Sequence, residues 1–229
     1  MKRHIPNFIT LLNLASGFAA IIYIFNDQLI TAAWLIILAM VFDFTDGFAA
    51  KLLKAYSDMG KELDSLADVV SFGVVPGLFI YRLAEGAFNL PLWAIVCISV
   101  LVPLAAALRL AKFNTDADQK ETFKGLPTPA AALAVVSPVL SGSFGSHEIF
   151  SIVNLPETYL ISAILVALLM VSPFRLLSLK FSSVTLRENA ARYILIVVSV
   201  AAMASVGIAG MVFIIPLYLV VSFFAGLFR

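Results

Sequence analysis

Asp43, Asp46, Asp64 and Asp68 fall in one short stretch, DFTDGFAAKLLKAYSDMGKELDSLAD, of a chain that is 62% hydrophobic and only 13% charged. On a helix advancing about 100° per residue, Asp43, Asp46, Gly47 and Ala50 share one arc. Gly60, Asp64 and Asp68, spaced four apart, form a stripe on a second helix. The basic turn between them makes the two helices antiparallel, so the acidic stripes face each other. Asp58 and Glu62 lie off the stripes and read as solvated charges. Four ionised carboxylates about 5 Å apart repel by roughly 3 kcal/mol per pair at an effective dielectric near 20, and partial burial in a membrane adds a penalty for each. Protonation relieves the repulsion, and so do divalent cations. Hard oxygen ligands in two facing pairs suit Mg²⁺, Mn²⁺ or Ca²⁺, and two ions balance the four charges. Gly47 and Gly60 leave space beside the acids. Such a pocket is able to clamp a diphosphate and stabilise the entering and leaving oxygens of an in-line displacement. Acids inside a membrane also pair with lysines or line ion paths, so on the acids alone a carboxylate-lined cation transporter stands beside phosphate chemistry.

The elements that must position these acids are membrane helices. Apolar stretches recur along the whole chain, each roughly long enough to cross a bilayer core of about 30 Å. Eight are marked, at roughly 6–26, 29–50, 63–85, 91–113, 127–143, 157–175, 190–206 and 208–228. The chain therefore reads as an all-α polytopic membrane protein, with a six-helix core over 1–180 and a C-terminal hairpin over 181–229 turning at GIAG. The first segment follows Lys2 and Arg3 like a signal peptide but lacks a clear cleavage site, and Asn7, Thr10 and Asn13 interrupt it; it reads as a retained first helix. Lys and Arg cluster on one side of this eight-span arrangement, at 51–61, 109–124 and 175–192 and at both ends, while the opposite loops hold only Arg82. By the positive-inside rule the termini and the acids are cytoplasmic. A net charge of +1 carries no signal for nucleic acid. One cysteine and two distant histidines leave no disulfide and argue against zinc.

The pattern Asp43-x₂-Asp46-Gly47-x₂-Ala50-Lys51-x₈-Gly60-x₃-Asp64-x₃-Asp68 resembles the signature of the CDP-alcohol phosphotransferase family, and PNFITLLNL resembles the family's first helix. The family has arginine where this chain has Lys51, which keeps the charge without the planar fork. The similarity as read from these motifs covers the six-helix part. It implies a CDP-linked lipid donor on two divalent cations, Mg²⁺ or Mn²⁺, in a prokaryotic-type cytoplasmic membrane, and a homodimer. Asp43, Asp46, Asp64 and Asp68 are then metal ligands, with Asp68 also the base for the incoming hydroxyl. Asp46, Gly47, Ala50, Lys51 and Gly60 border the cytidine nucleotide.

Two further stretches, ALRLAKFN (107–114) and FKGLPTPAAA (123–132), resemble the branch of the family that makes phosphatidylserine. The expected partners are then CDP-diacylglycerol and L-serine, with CMP released, and other acceptors such as glycerol 3-phosphate or an inositol phosphate are the alternative. Pro127 and Pro129 open a helix whose N-terminus favours anions. Arg109 either snorkels to lipid phosphates or closes a helix end, or it grips the serine carboxylate in a bidentate pair. Asn114 and Lys124 are weaker members of the same expected pocket, and Arg175 ranks below them.

Overall fold

Proline placement shapes the helix that carries half of the acidic cluster. In the computed structural model, which describes residues 4–115, 125–145, 148–174, 176–177 and 186–227 (side chains of 186–188 and 226–227 excepted), that helix runs Asp58–Leu83. Pro76 has no N–H, so the regular bond to the carbonyl four residues back cannot form. A widened π-helical turn occupies Val69–Val74, directly after Asp68 and just before the proline. π turns inside α-helices are often found at functional sites.

All described regular structure is helical: α1 (His4–Phe25), α2 (Leu29–Leu52), α3 (Asp58–Leu83), α4 (Leu92–Thr115), α5 (Thr128–Phe144), a short α6 (Glu148–Val153), α7 (Pro156–Val171), α8 (Leu186–Val206) and α9 (Ile214–Leu227). The first four are each long and apolar enough to cross a membrane, as is the stretch Asn189–Ala225, which contains most of α8 and α9; α5 and α7 are shorter apolar helices. Each expected segment thus coincides with a helix. Helix α3 begins at Asp58, several residues before its apolar run, because the Ser57 side chain accepts from the Gly60 N–H at 3.0 Å and caps its start. The turn expected at GIAG is a 3₁₀ segment, Gly207–Phe213, entered through Gly207 at φ 65°.

The helices pack through small residues. Ala20, Ala32, Ala39, Ala106, Ala132 and Ala163 are fully buried, which lets apolar helices approach closely where a lipid solvent gives no hydrophobic drive between them. Large apolar side chains such as Phe8, Phe18, Trp93, Leu104, Leu108 and Val197 point outward and are exposed. That surface suits hydrocarbon, not water. This is an integral membrane protein.

Helix α3 is the most buried of the long spans. It packs on α1 and on α4, and Gly73 and Gly77 let Pro103 of α4 close onto it: a Cβ at either would meet atoms at about 3.0 Å. Far from the acids, Arg82 at the end of α3 bonds Asp27 of the α1–α2 turn, Nη2 to Oδ1 at 2.6 Å, and Glu85 at 3.0 Å. This surface pair fixes which loops share an end and adds little stability.

Candidate active site

Four elements build the site, because two antiparallel helices bring the acids and two others, α1 and α5, supply their donors. Asp43 from α2 and Asp64 and Asp68 from α3 each present a carboxylate oxygen, all within 4.8 Å of one another. Asp46 is buried one turn on from Asp43, outside the set of three whose oxygens lie within 4.8 Å. The facing stripes thus bring three of the four acids together.

The third element is α1. Thr10 Oγ1 donates to Asp46 Oδ2 at 2.5 Å, and Asn13 Nδ2 donates to Asp68 Oδ1 at 3.3 Å. A donor from the start of α5 completes the shell, Thr128 Oγ1 to Asp68 Oδ2 at 3.2 Å. Thr10, Asn13 and Thr128 are buried, and the sequence reading gave them no role. Their signal was present: Asn7, Thr10 and Asn13 recur every three residues in an otherwise apolar helix, a polar stripe that needs partners. Thr128 was visible only as the residue between two prolines.

Gly47 faces open space, with no atom within 4 Å of where a Cβ would sit. Gly60 serves a different end. A Cβ there would lie 2.9 Å from Asn7 Oδ1 and 3.0 Å from Ser57 Oγ, so this glycine lets α1 and the cap of α3 close in. Ala50 is half-buried and Lys51 exposed in the last turn of α2.

Arg109 is buried in α4, the helix that packs on the Val69–Val74 turn directly after Asp68, and its Nε has no hydrogen-bond partner among the described residues. Snorkelling predicts an exposed head; this guanidinium points inward. Asn114 is tied to α3, its Nδ2 donating to Ser65 Oγ and its carbonyl accepting from Lys61 Nζ, both at 2.9 Å. It joins α4 to the residue next to Asp64. Lys124 and Arg175 lie outside the described residues.

A sequence model described as CDP-alcohol phosphatidyltransferase matches residues 3–228. The chain belongs to the CDP-alcohol phosphatidyltransferase family. The match runs past the six-helix part and into the C-terminal hairpin. Among relatives, the CDP-diacylglycerol–serine O-phosphatidyltransferase of Bacillus subtilis is 40% identical over 133 residues, 58% of this chain and 73% of the relative. The protein of the same name from Helicobacter pylori is 36% identical over 172 residues, 74% of this chain and 70% of its own. The archaetidylserine synthase of Methanothermobacter thermautotrophicus is 32% identical over 162 residues, 70% and 68% of the two chains.

Members of the CDP-alcohol phosphatidyltransferase family use divalent metal ions, and the residues here fit one. The donor set is all oxygen, as hard cations require. Asp64 Oδ1 is buried and has no partner among the described residues. A buried carboxylate oxygen left unpaired is costly, and a cation held by Asp43, Asp64 and Asp68 would satisfy it.

Proposed function

We propose that this protein transfers the phosphatidyl group of CDP-diacylglycerol to the hydroxyl of L-serine, forming phosphatidylserine and releasing CMP. The observation that carries the reading is the burial of the Arg109 guanidinium in α4, the helix that packs on α3 directly after Asp68. That sets a carboxylate-binding fork on the helix next to the acid suited to act as base. The names of the Bacillus and Helicobacter relatives support the same acceptor.

Asp43, Asp46, Asp64 and Asp68 would hold two divalent ions, Mg²⁺ or Mn²⁺, and such ions would supply positive charge to neutralise the donor's diphosphate and the charge that develops on it. Asp68 takes the proton of the serine hydroxyl. The serine oxygen forms a bond to the phosphorus that carries the diacylglycerol, the bond from that phosphorus to the CMP oxygen breaks, and CMP leaves with the electron pair. Asn13 and Thr128 hold both Asp68 oxygens, which fixes the carboxylate for proton transfer. Gly47 gives the nucleotide open space beside the acids, Asp46, Ala50 and Gly60 border it, and Lys51 balances phosphate charge from the surface. Arg109 holds the serine carboxylate, with Asn114 and Lys124 near the same pocket.

The site and both termini lie on the cytoplasmic side of a prokaryotic-type membrane, a reading that the clustering of Lys and Arg supports. The chain works as a homodimer, each copy made of a six-helix unit over 1–180 and a hairpin over 181–229.

An acceptor panel with purified protein and CDP-diacylglycerol, read by CMP release, tests the reading. Serine should be the best acceptor, with serine amide and ethanolamine poor because they lack the carboxylate. A preference for glycerol 3-phosphate, which brings about two negative charges against one buried guanidinium, would leave the family intact and remove serine.

A further inference from the structure

The π-helical turn that follows Asp68 carries a buried hydroxyl whose partner lies on another helix. Serines in apolar helices commonly donate to the carbonyl four residues earlier on their own helix. Ser16, Ser65 and Ser143 do so here, to Leu12, Lys61 and Val139. Ser71, inside the Val69–Val74 turn and fully buried, instead reaches across to α1, its Oγ donating to the Asn13 backbone carbonyl at 3.1 Å. Gly17, one turn further along α1, permits the approach. A Cβ there would collide with Ser71 Oγ and lie 3.0 Å from Ser71 Cα.

The residue that Ser71 holds is the one that holds the base. Asn13 Nδ2 donates to Asp68 Oδ1 at 3.3 Å. Asn13 is fully enclosed, and its Oδ1 has no hydrogen-bond partner among the described residues. The bond to Asp68 is therefore what orients the amide. It lies just beyond the usual range of about 2.7–3.2 Å, so a small retreat of α1 from α3 breaks it. Where the Asn13 backbone sits relative to α3 decides whether Asp68 keeps this donor. Ser71 fixes that position from three residues beyond Asp68, which closes a ring: Asp68 to the Asn13 amide, the Asn13 carbonyl to Ser71, and α3 back to Asp68.

Resting on the assignment of Asp68 as base above, we infer that Ser71 is a positioning residue for the proton transfer, acting through Asn13. Its hydroxyl keeps α1 in place against the π turn, and the Asn13 amide passes that placement on to the carboxylate. A group that takes a proton must be held within about 0.5 Å of its working geometry, a tolerance that one marginal hydrogen bond meets only if its backbone is fixed. Close packing of small residues between membrane helices would also place a serine opposite Gly17. That role alone, however, is indifferent to the Asn13 side chain.

The test is a double-mutant cycle on the full-length, membrane-purified protein with Ser71→Ala, Asn13→Ala and the pair. CMP release is measured at saturating Mg²⁺ against CDP-diacylglycerol and against serine, or against whichever hydroxyl acceptor the wild type prefers. Asn13→Ala keeps the carbonyl that Ser71 bonds and removes only the amide that reaches Asp68. Ser71→Ala should lower kcat about three- to tenfold, the size of one hydrogen bond, with both Michaelis constants changed by less than about twofold. In the Asn13→Ala background the same change should alter kcat by less than about twofold, because the path to Asp68 is already cut. Ser71→Cys fills the space that alanine leaves and donates only weakly. Its kcat should fall between wild type and Ser71→Ala, and it takes the place of alanine in the cycle if that variant does not fold. A kcat loss that multiplies in full with that of Asn13→Ala, or an unchanged kcat in both Ser71 variants, overturns the positioning role and leaves Asp68 as base. Normal turnover in Asp68→Asn, assayed alongside, removes the base and this inference with it.

Discussion

The Thr128 hydroxyl donates to Asp68 Oδ2 at 3.2 Å while Asn13 Nδ2 donates to Oδ1 at 3.3 Å, so both oxygens of this acid are held by neighbours from different helices. Donors behind a metal-binding or proton-accepting carboxylate typically matter about ten- to a hundredfold in metal affinity or activity. Thr128→Val keeps the shape of the side chain and should lose turnover or metal activation by about that factor, and Thr128→Ser should keep most of it. Steady-state kinetics across a metal titration checks this. A valine variant with wild-type kinetics would leave Thr128 as a helix-start residue only.

Metal dependence follows from the crowding of Asp43, Asp64 and Asp68. Protein stripped by chelator should release no CMP, and Mg²⁺ or Mn²⁺ should restore activity better than Ca²⁺, which prefers a larger and looser shell. Asp43→Asn, Asp46→Asn and Asp64→Asn should lose metal and donor binding together. Asp68→Asn should keep some donor affinity while losing the chemical step. Full turnover in excess chelator would remove the metal account, and normal turnover in Asp68→Asn would remove its role as base.

The acids, their spacing and the helix pair that carries them were legible in the sequence, because four charges in apolar surroundings have few structural uses. The helix positions were legible for the same reason, since length and apolarity are local properties. What stayed hidden was mostly what depends on which helices touch. Nothing local says that Thr10 meets Asp46, that Asn7 fills the space beside Gly60, or that Tyr218 meets the Leu177 carbonyl. The apolar span marked from 63 leaves out the polar first turn of α3, capped by Ser57, although the stripe from Gly60 already belongs to that helix.

Lys51 is exposed in the last turn of α2, so its contribution is a mobile charge. Lys51→Arg should be tolerated or slightly improve donor binding by supplying the fork that the family has there. Lys51→Ala should raise KM for CDP-diacylglycerol by a few-fold, in a salt-sensitive way, since exposed charges are screened. An alanine variant with unchanged KM at low salt would make Lys51 a topology charge alone.

The central claim is that the serine hydroxyl oxygen attacks phosphorus in a site built on Asp43, Asp46, Asp64 and Asp68. Serine isotopically labelled at that oxygen, incubated with purified protein, CDP-diacylglycerol and Mg²⁺, tests it most directly by mass spectrometry of both products. The account predicts label in the phosphodiester of newly made phosphatidylserine and none in CMP. Unlabelled phosphatidylserine, or CMP released with phosphatidate and no serine lipid, would contradict it.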